Sequence, residues 1–160
     1  MRDNKVLFMI QAALIAAIYV VLTMMVGSFG SGQIQLRISE ALTVLPYFTP
    51  AAIPGLFIGC LIANTLAGNI LIDIVFGSLA TLAAALLSYS LRKHKYLVCV
   101  PPIVINMIVV PFVLHYGYQI PLPIPFLMLT IGIGQVLSCG VLGNILLKAL
   151  EMSRKHIFQY

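Results

Sequence analysis

Charge is scarce in this chain. Lys, Arg, Asp and Glu together make up 8% of its 160 residues, and only four of them are acidic. Soluble domains carry about 25% charged residues, so a soluble globular fold is excluded. Catalytic constellations are missing too. There is no His and acid pairing at zinc spacing, no Walker loop, no Ser-His-acid set and no intramembrane aspartyl pair. Gly132-Ile-Gly134 lacks the strand–loop–helix setting of a nucleotide fingerprint. Neither enzyme chemistry nor a cofactor is indicated, and any active transport must draw on a partner or an ion gradient. Cys60, Cys99 and Cys139 are isolated in apolar stretches without the paired spacing of metal sites, and read as buried, inert thiols.

What the chain has in abundance is hydrophobicity: 61% apolar residues and a mean hydropathy of +1.09. Several runs reach the roughly 20 residues needed to cross about 30 Å of hydrocarbon. The first, from Val6 to Gly27, is too long for the core of a signal peptide and others follow it, so it reads as a retained helix. Of nine Lys and Arg residues, all but Arg37 fall in three clusters: Arg2 and Lys5; Arg92, Lys93 and Lys95; Lys148, Arg154 and Lys155. Basic residues accumulate in short cytoplasmic loops, which puts all three clusters on the inner side of the cell membrane. The net charge of +5 then reports topology and lipid contact rather than nucleic acid.

Hydrophobic runs and breakers divide the chain into a single transmembrane domain with helices at about 4–26, 37–48, 51–66, 70–91, 98–116 and 126–150. The glycine-rich stretch after Val26 is a loop. The second segment is too short to span, covering about 18 Å at 1.5 Å per residue. A kink is expected at Pro111, and the three prolines of 119–125 make a stiff, extended loop. Parity favours an all-α bundle of six transmembrane helices with short helices 2 and 3 and both termini cytoplasmic. Four spans with a re-entrant pair is the rival arrangement.

Asp3 and Glu151 lie in the basic clusters and read as solvated. Glu40 and Asp73 lie near the outer ends of apolar segments, where ionisable groups have a partner or a task. Arg37 and Glu40 share a helix face, as a local ion pair or as ligand contacts. Asp73 suits a helix N-terminus as well as a ligand. Asn64, Asn69, Asn106 and Gln135 carry amides that apolar surroundings do not tolerate unpaired; interhelical bonding and ligand contact both satisfy them. His115 and Tyr118 gather at the outer end of helix 5, where an aromatic belt is the plainer reading. Ala12 and Ala16, and likewise Ala13 and Ala17, form small-xxx-small strips that permit close helix approach and mark a candidate subunit interface.

Several stretches resemble one family. Gln11–Thr23, Gln35–Thr43, Phe48–Asn64, Asp73–Thr81 and Pro101–Asn106 are similar to the queuosine-precursor transporters, the QueT-like S-components of energy-coupling-factor (ECF) transporters. Arg-Ile-Ser-Glu-Ala-Leu and Asp-Ile-Val-Phe-Gly-Ser-Leu-Ala-Thr are the specific segments. The resemblance implies a six-helix, non-catalytic binding subunit with a pocket near the outer face. It implies partners too: a transmembrane coupling subunit (EcfT-like), met by the small-residue strip of helix 1, and two ATPases (EcfA-like). The implied substrate is a 7-deazaguanine such as preQ0, preQ1 or queuine, bound among Glu40, Asp73, Arg37, Asn106, Gln135, Asn69, Asn64, His115 and Tyr118. An S-component for another purine or a B vitamin, or a structural membrane subunit, are the alternatives.

Overall fold

Among the described residues, six helical segments follow one another. The computed structural model describes residues 2–26 and 37–152, so the expected loop at 27–36 and the tail with Arg154 and Lys155 lie outside the described residues. Helix 1 is Arg2–Val26, helix 2 Ile38–Tyr47, helix 3 Ala52–Leu66 and helix 4 Leu71–Ser90. Helix 5 runs over Lys95–Gly117 and helix 6 over Ile124–Met152. Among the described residues, helices 1, 4, 5 and 6 are long and apolar enough to cross a membrane, and helix 3 is a shorter apolar helix.

Helix 2 departs from the expected α-helix: it is wound as a 3₁₀ helix throughout. Pro46 lies inside it and donates no N–H, and the Thr43 hydroxyl occupies the Glu40 carbonyl at 2.6 Å. Both features remove i→i+4 bonds and favour the tighter winding. Ser39 to Pro46 are all buried, and the helix packs against helices 1, 4 and 6. It is the axis of the bundle rather than a lipid-facing element.

The other irregularities also follow from side chains. Pro111 sits inside helix 5, and the turn after it, Val113–Gly117, is π-helical. Tyr118 N–H accordingly reaches back five residues to the Val113 carbonyl at 3.2 Å. Helix 6, expected to be continuous, contains a π segment at Val136–Leu142. Helix 3 ends at Gly68, whose φ of 71° suits a residue without a β-carbon. There the Gly68 and Asn69 N–H groups bond the Thr65 and Asn64 carbonyls, both at 3.1 Å, which is a Schellman termination.

Helices 1 and 3 pack unusually close. A β-carbon on Gly55 would stand 2.7 Å from the Ala12 carbonyl oxygen, and one on Gly59 would stand 3.0 Å from the Ala16 α-carbon. The Gly55-x-x-x-Gly59 spacing lets the backbones touch, so dispersion holds the pair in lipid. The two alanine strips of helix 1 therefore divide. Ala16 is buried and Ala12 half-buried against helix 3, while Ala13 and Ala17 are exposed.

The exterior is apolar: Met9, Leu71, Phe76, Leu129 and Ile145 are among many large exposed hydrophobic side chains. Polar side chains are inside, with Glu40, Asp73, Asn64, Asn106 and Gln135 all buried. That inversion suits a hydrocarbon solvent. The two ends of the bundle differ. At one, Lys95 pairs with Glu151, so the central basic cluster meets the end of helix 6. At the other, Thr23 near the end of helix 1 bonds Ser39 at the start of helix 2, at 2.9 Å.

Candidate functional site

The first turn of helix 2 delivers Glu40 into the bundle, where the side chain is 1% exposed. Its Oε1 accepts from the Tyr19 hydroxyl at 2.8 Å, and its Oε2 from Asn106 Nδ2 at 3.3 Å. Helices 1 and 5 thus each contribute one donor to a carboxylate on helix 2. The Glu40 carbonyl is engaged as well: Cys139 Sγ lies 3.4 Å from it and 3.2 Å from Gln135 Oε1, so the two acceptors share its one S–H. Gln135 therefore joins the cluster through Cys139. The π segment that begins after it carries Cys139 toward helix 2.

Asp73, in the first turn of helix 4, is 4% exposed. Tyr118 donates to its Oδ2 at 3.0 Å from just beyond helix 5. Tyr118 is itself 38% exposed. Burial, and then the adjacent Asp73 carboxylate, push its hydroxyl above the ordinary phenol range, so it remains a proton donor at neutral pH. The Arg37 guanidinium lies within electrostatic reach of both carboxylates.

Amides extend the cluster. Asn69, placed by the Schellman turn, donates to Asn64 Oδ1 at 3.3 Å. Asn64 Nδ2 reaches Cys60 Sγ at 3.5 Å, and Thr81 donates to the same sulfur at 3.4 Å. Of the expected site residues, the structure brings together Arg37, Glu40, Asn64, Asn69, Asp73, Asn106, Tyr118 and Gln135. His115 stands apart: its Nδ1 lies 3.1 Å from the Leu122 carbonyl and its ring meets Tyr116 edge-on. It braces the proline-rich loop. Cys60, Cys99 and Cys139 are free and buried. Among the described residues no group of three or more His, Cys, Asp or Glu side chains gathers as metal ligands would.

Tyr19 escaped the sequence reading. Tyr19 left one signal, a phenol in the apolar middle of helix 1, where an unpaired hydroxyl is costly.

Residues 9–152 match the QueT transporter family. The chain belongs to that family. As a QueT family member with four membrane-capable helices, it is a multi-pass protein of the cell membrane. A relative from Lactococcus lactis subsp. cremoris (strain MG1363), named Queuosine precursor transporter QueT, is 37% identical over 84 residues. That alignment covers 51% of this chain and 49% of the relative, about half the length of each. No solved structure matches this QueT family chain.

Proposed function

We propose that this QueT family protein is the substrate-binding S-component of an ECF-type importer and captures a 7-deazaguanine queuosine precursor at the outer face. The observation that carries the reading is that two carboxylates, Glu40 and Asp73, are buried in an apolar bundle and each accepts a tyrosine hydroxyl, from Tyr19 and Tyr118. One guanidinium and two carboxylates leave one net negative charge when both acids are ionised. That balance suits an aminomethyl cation, as in preQ1. The carboxylates and amides suit the N–H donors and carbonyl of a guanine-like edge, since charge-assisted bonds are the strong ones.

In this reading all six helices cross, both termini are cytoplasmic and the basic end faces inward by charge asymmetry. ATP hydrolysis belongs to partner ATPases, joined through a coupling subunit. Ala13 and Ala17, exposed on helix 1, are the strip left for that subunit. Beside them lies an apolar groove of ≈ 490 Å³ lined by Leu14, Ile18, Leu22, Leu42 and Leu146 among others.

Calorimetry on the purified chain with preQ1, queuine, guanine and biotin tests the substrate class. Binding of preQ1 or queuine, with biotin silent, is the expected result. A preference for biotin, or no binding of any of the four, would overturn it.

A further inference from the structure

Two cations at the turn between helices 4 and 5 lack the partner that a third has. Lys95, at the start of helix 5, pairs with Glu151 near the end of helix 6. Among the described residues neither Arg92 nor Lys93 meets a carboxylate, and both are exposed. The turn that carries them is tight: Arg92 N–H bonds the Tyr89 carbonyl at 3.3 Å and His94 N–H the Leu91 carbonyl at 2.9 Å. The Arg92 guanidinium lies over the Tyr89 ring, 4.0 Å from its centre. Stacking on an aromatic face uses the flat side of a guanidinium and leaves the N–H donors of its edge for an anion. The surface beside these charges is apolar. Leu86 and Leu87 end helix 4, Leu97 and Val100 begin helix 5, and all four are exposed. Tyr96, 65% exposed, is the kind of amphipathic ring that sits at headgroup level, which places the turn at the depth of the phosphates.

We propose that this turn binds an anionic phospholipid, with its phosphate on Arg92 and Lys93 and an acyl chain against Leu97 and Val100. The Arg92 fork matches two phosphate oxygens, and Lys93 adds a point charge. The adjoining apolar side chains fit the tails of the same molecule, which a free phosphate or a nucleic acid does not offer. The Lys95–Glu151 pair ties the end of helix 6 to the site. Lys148, exposed and three residues before Glu151, lies on the same side of that helix and adds to the positive field. The proposal does not depend on which solute is transported.

The test is a titration of the full chain in detergent with phosphatidylglycerol, with occupancy read by native mass spectrometry. Phosphatidylcholine has the tails without the net charge, and glycerol 3-phosphate has the phosphate without the tails. Phosphatidylglycerol should bind more tightly than phosphatidylcholine, and equimolar glycerol 3-phosphate should not displace it. One Lys or Arg at an anionic lipid surface contributes about fivefold in affinity, so replacing both Arg92→Gln and Lys93→Gln should weaken phosphatidylglycerol about twenty-five-fold. Phosphatidylcholine should bind that variant as it binds the unaltered chain. Lys5→Gln, in the basic start of helix 1, should lose less than Lys93→Gln, because a charge outside the site acts only through screening solvent. Phosphatidylglycerol should also raise the melting temperature of the unaltered chain by mass action, and not that of the double variant. Equal binding of the two phospholipids would overturn the proposal, as would unchanged affinity in the double variant or displacement by glycerol 3-phosphate. Equal losses in Lys93→Gln and Lys5→Gln would overturn it too, by reducing the effect to diffuse charge. If the double variant melts early without lipid, the comparison of phospholipids on the unaltered chain decides.

Discussion

The Tyr19 hydroxyl donates to Glu40 Oε1 at 2.8 Å across 21 positions of sequence. Through it the middle of helix 1 grips the first turn of helix 2, and Asn106 closes the arrangement from helix 5. Tyr19→Phe keeps the packing and removes the donor. A lost hydrogen bond to a charged group costs about 1.5–3 kcal/mol. The variant should melt at a lower temperature in detergent than the unaltered chain. An unshifted melting curve would mean that Glu40 does not depend on Tyr19.

Gly59 tests the crossing of helices 1 and 3. A β-carbon there would lie 2.9 Å from Tyr19 Cβ and 3.0 Å from the Ala16 α-carbon. Backbone cannot yield as the end of a side chain can, so Gly59→Ala should destabilise the protein by about 1–3 kcal/mol through overpacking. Thermal unfolding of the variant beside the unaltered chain checks this, and matching melting temperatures would contradict it.

Gln119 has a φ of 53° where helix 5 ends, a left-handed conformation that costs a non-glycine residue roughly 1–2 kcal/mol. Gln119→Gly should raise the melting temperature, because glycine adopts this conformation without steric penalty. If the melting temperature falls instead, the Gln119 side chain must contribute more than its backbone strain costs.

Ala17 lies on the exposed strip of helix 1. Ala17→Leu adds bulk where close helix approach needs a small residue. Whole cells carrying the variant should lose most uptake of preQ1, while calorimetry on the purified chain records unchanged affinity. Uptake at the level of the unaltered protein would place the coupling surface elsewhere.

How far the sequence could be read follows from which interactions are local. Helix 3 was legible because its apolar run and its closing Gly68 are signals within one segment. Helix 2 was legible in place and length but not in winding. Its 3₁₀ form depends on the Thr43 hydroxyl meeting the Glu40 carbonyl and on burial from all sides. Glu40 and Asp73 stood out as acids in apolar surroundings. The two alanine strips of helix 1 looked alike until Gly55 and Gly59 took Ala12 and Ala16 inward.

Composition and charge placement by themselves determined a helical membrane protein with a few ionisable groups set into its apolar segments. Those properties come from the solvent each residue type prefers and from backbone hydrogen bonding within a segment. Tertiary structure alone decided that Tyr19 and Asn106 would each bond an oxygen of Glu40, that Tyr118 would reach Asp73, and that His115 would turn to a loop. Such pairings depend on the rotation and crossing of separate helices, and a rotation of one residue, about 100°, exchanges the face presented to a neighbour.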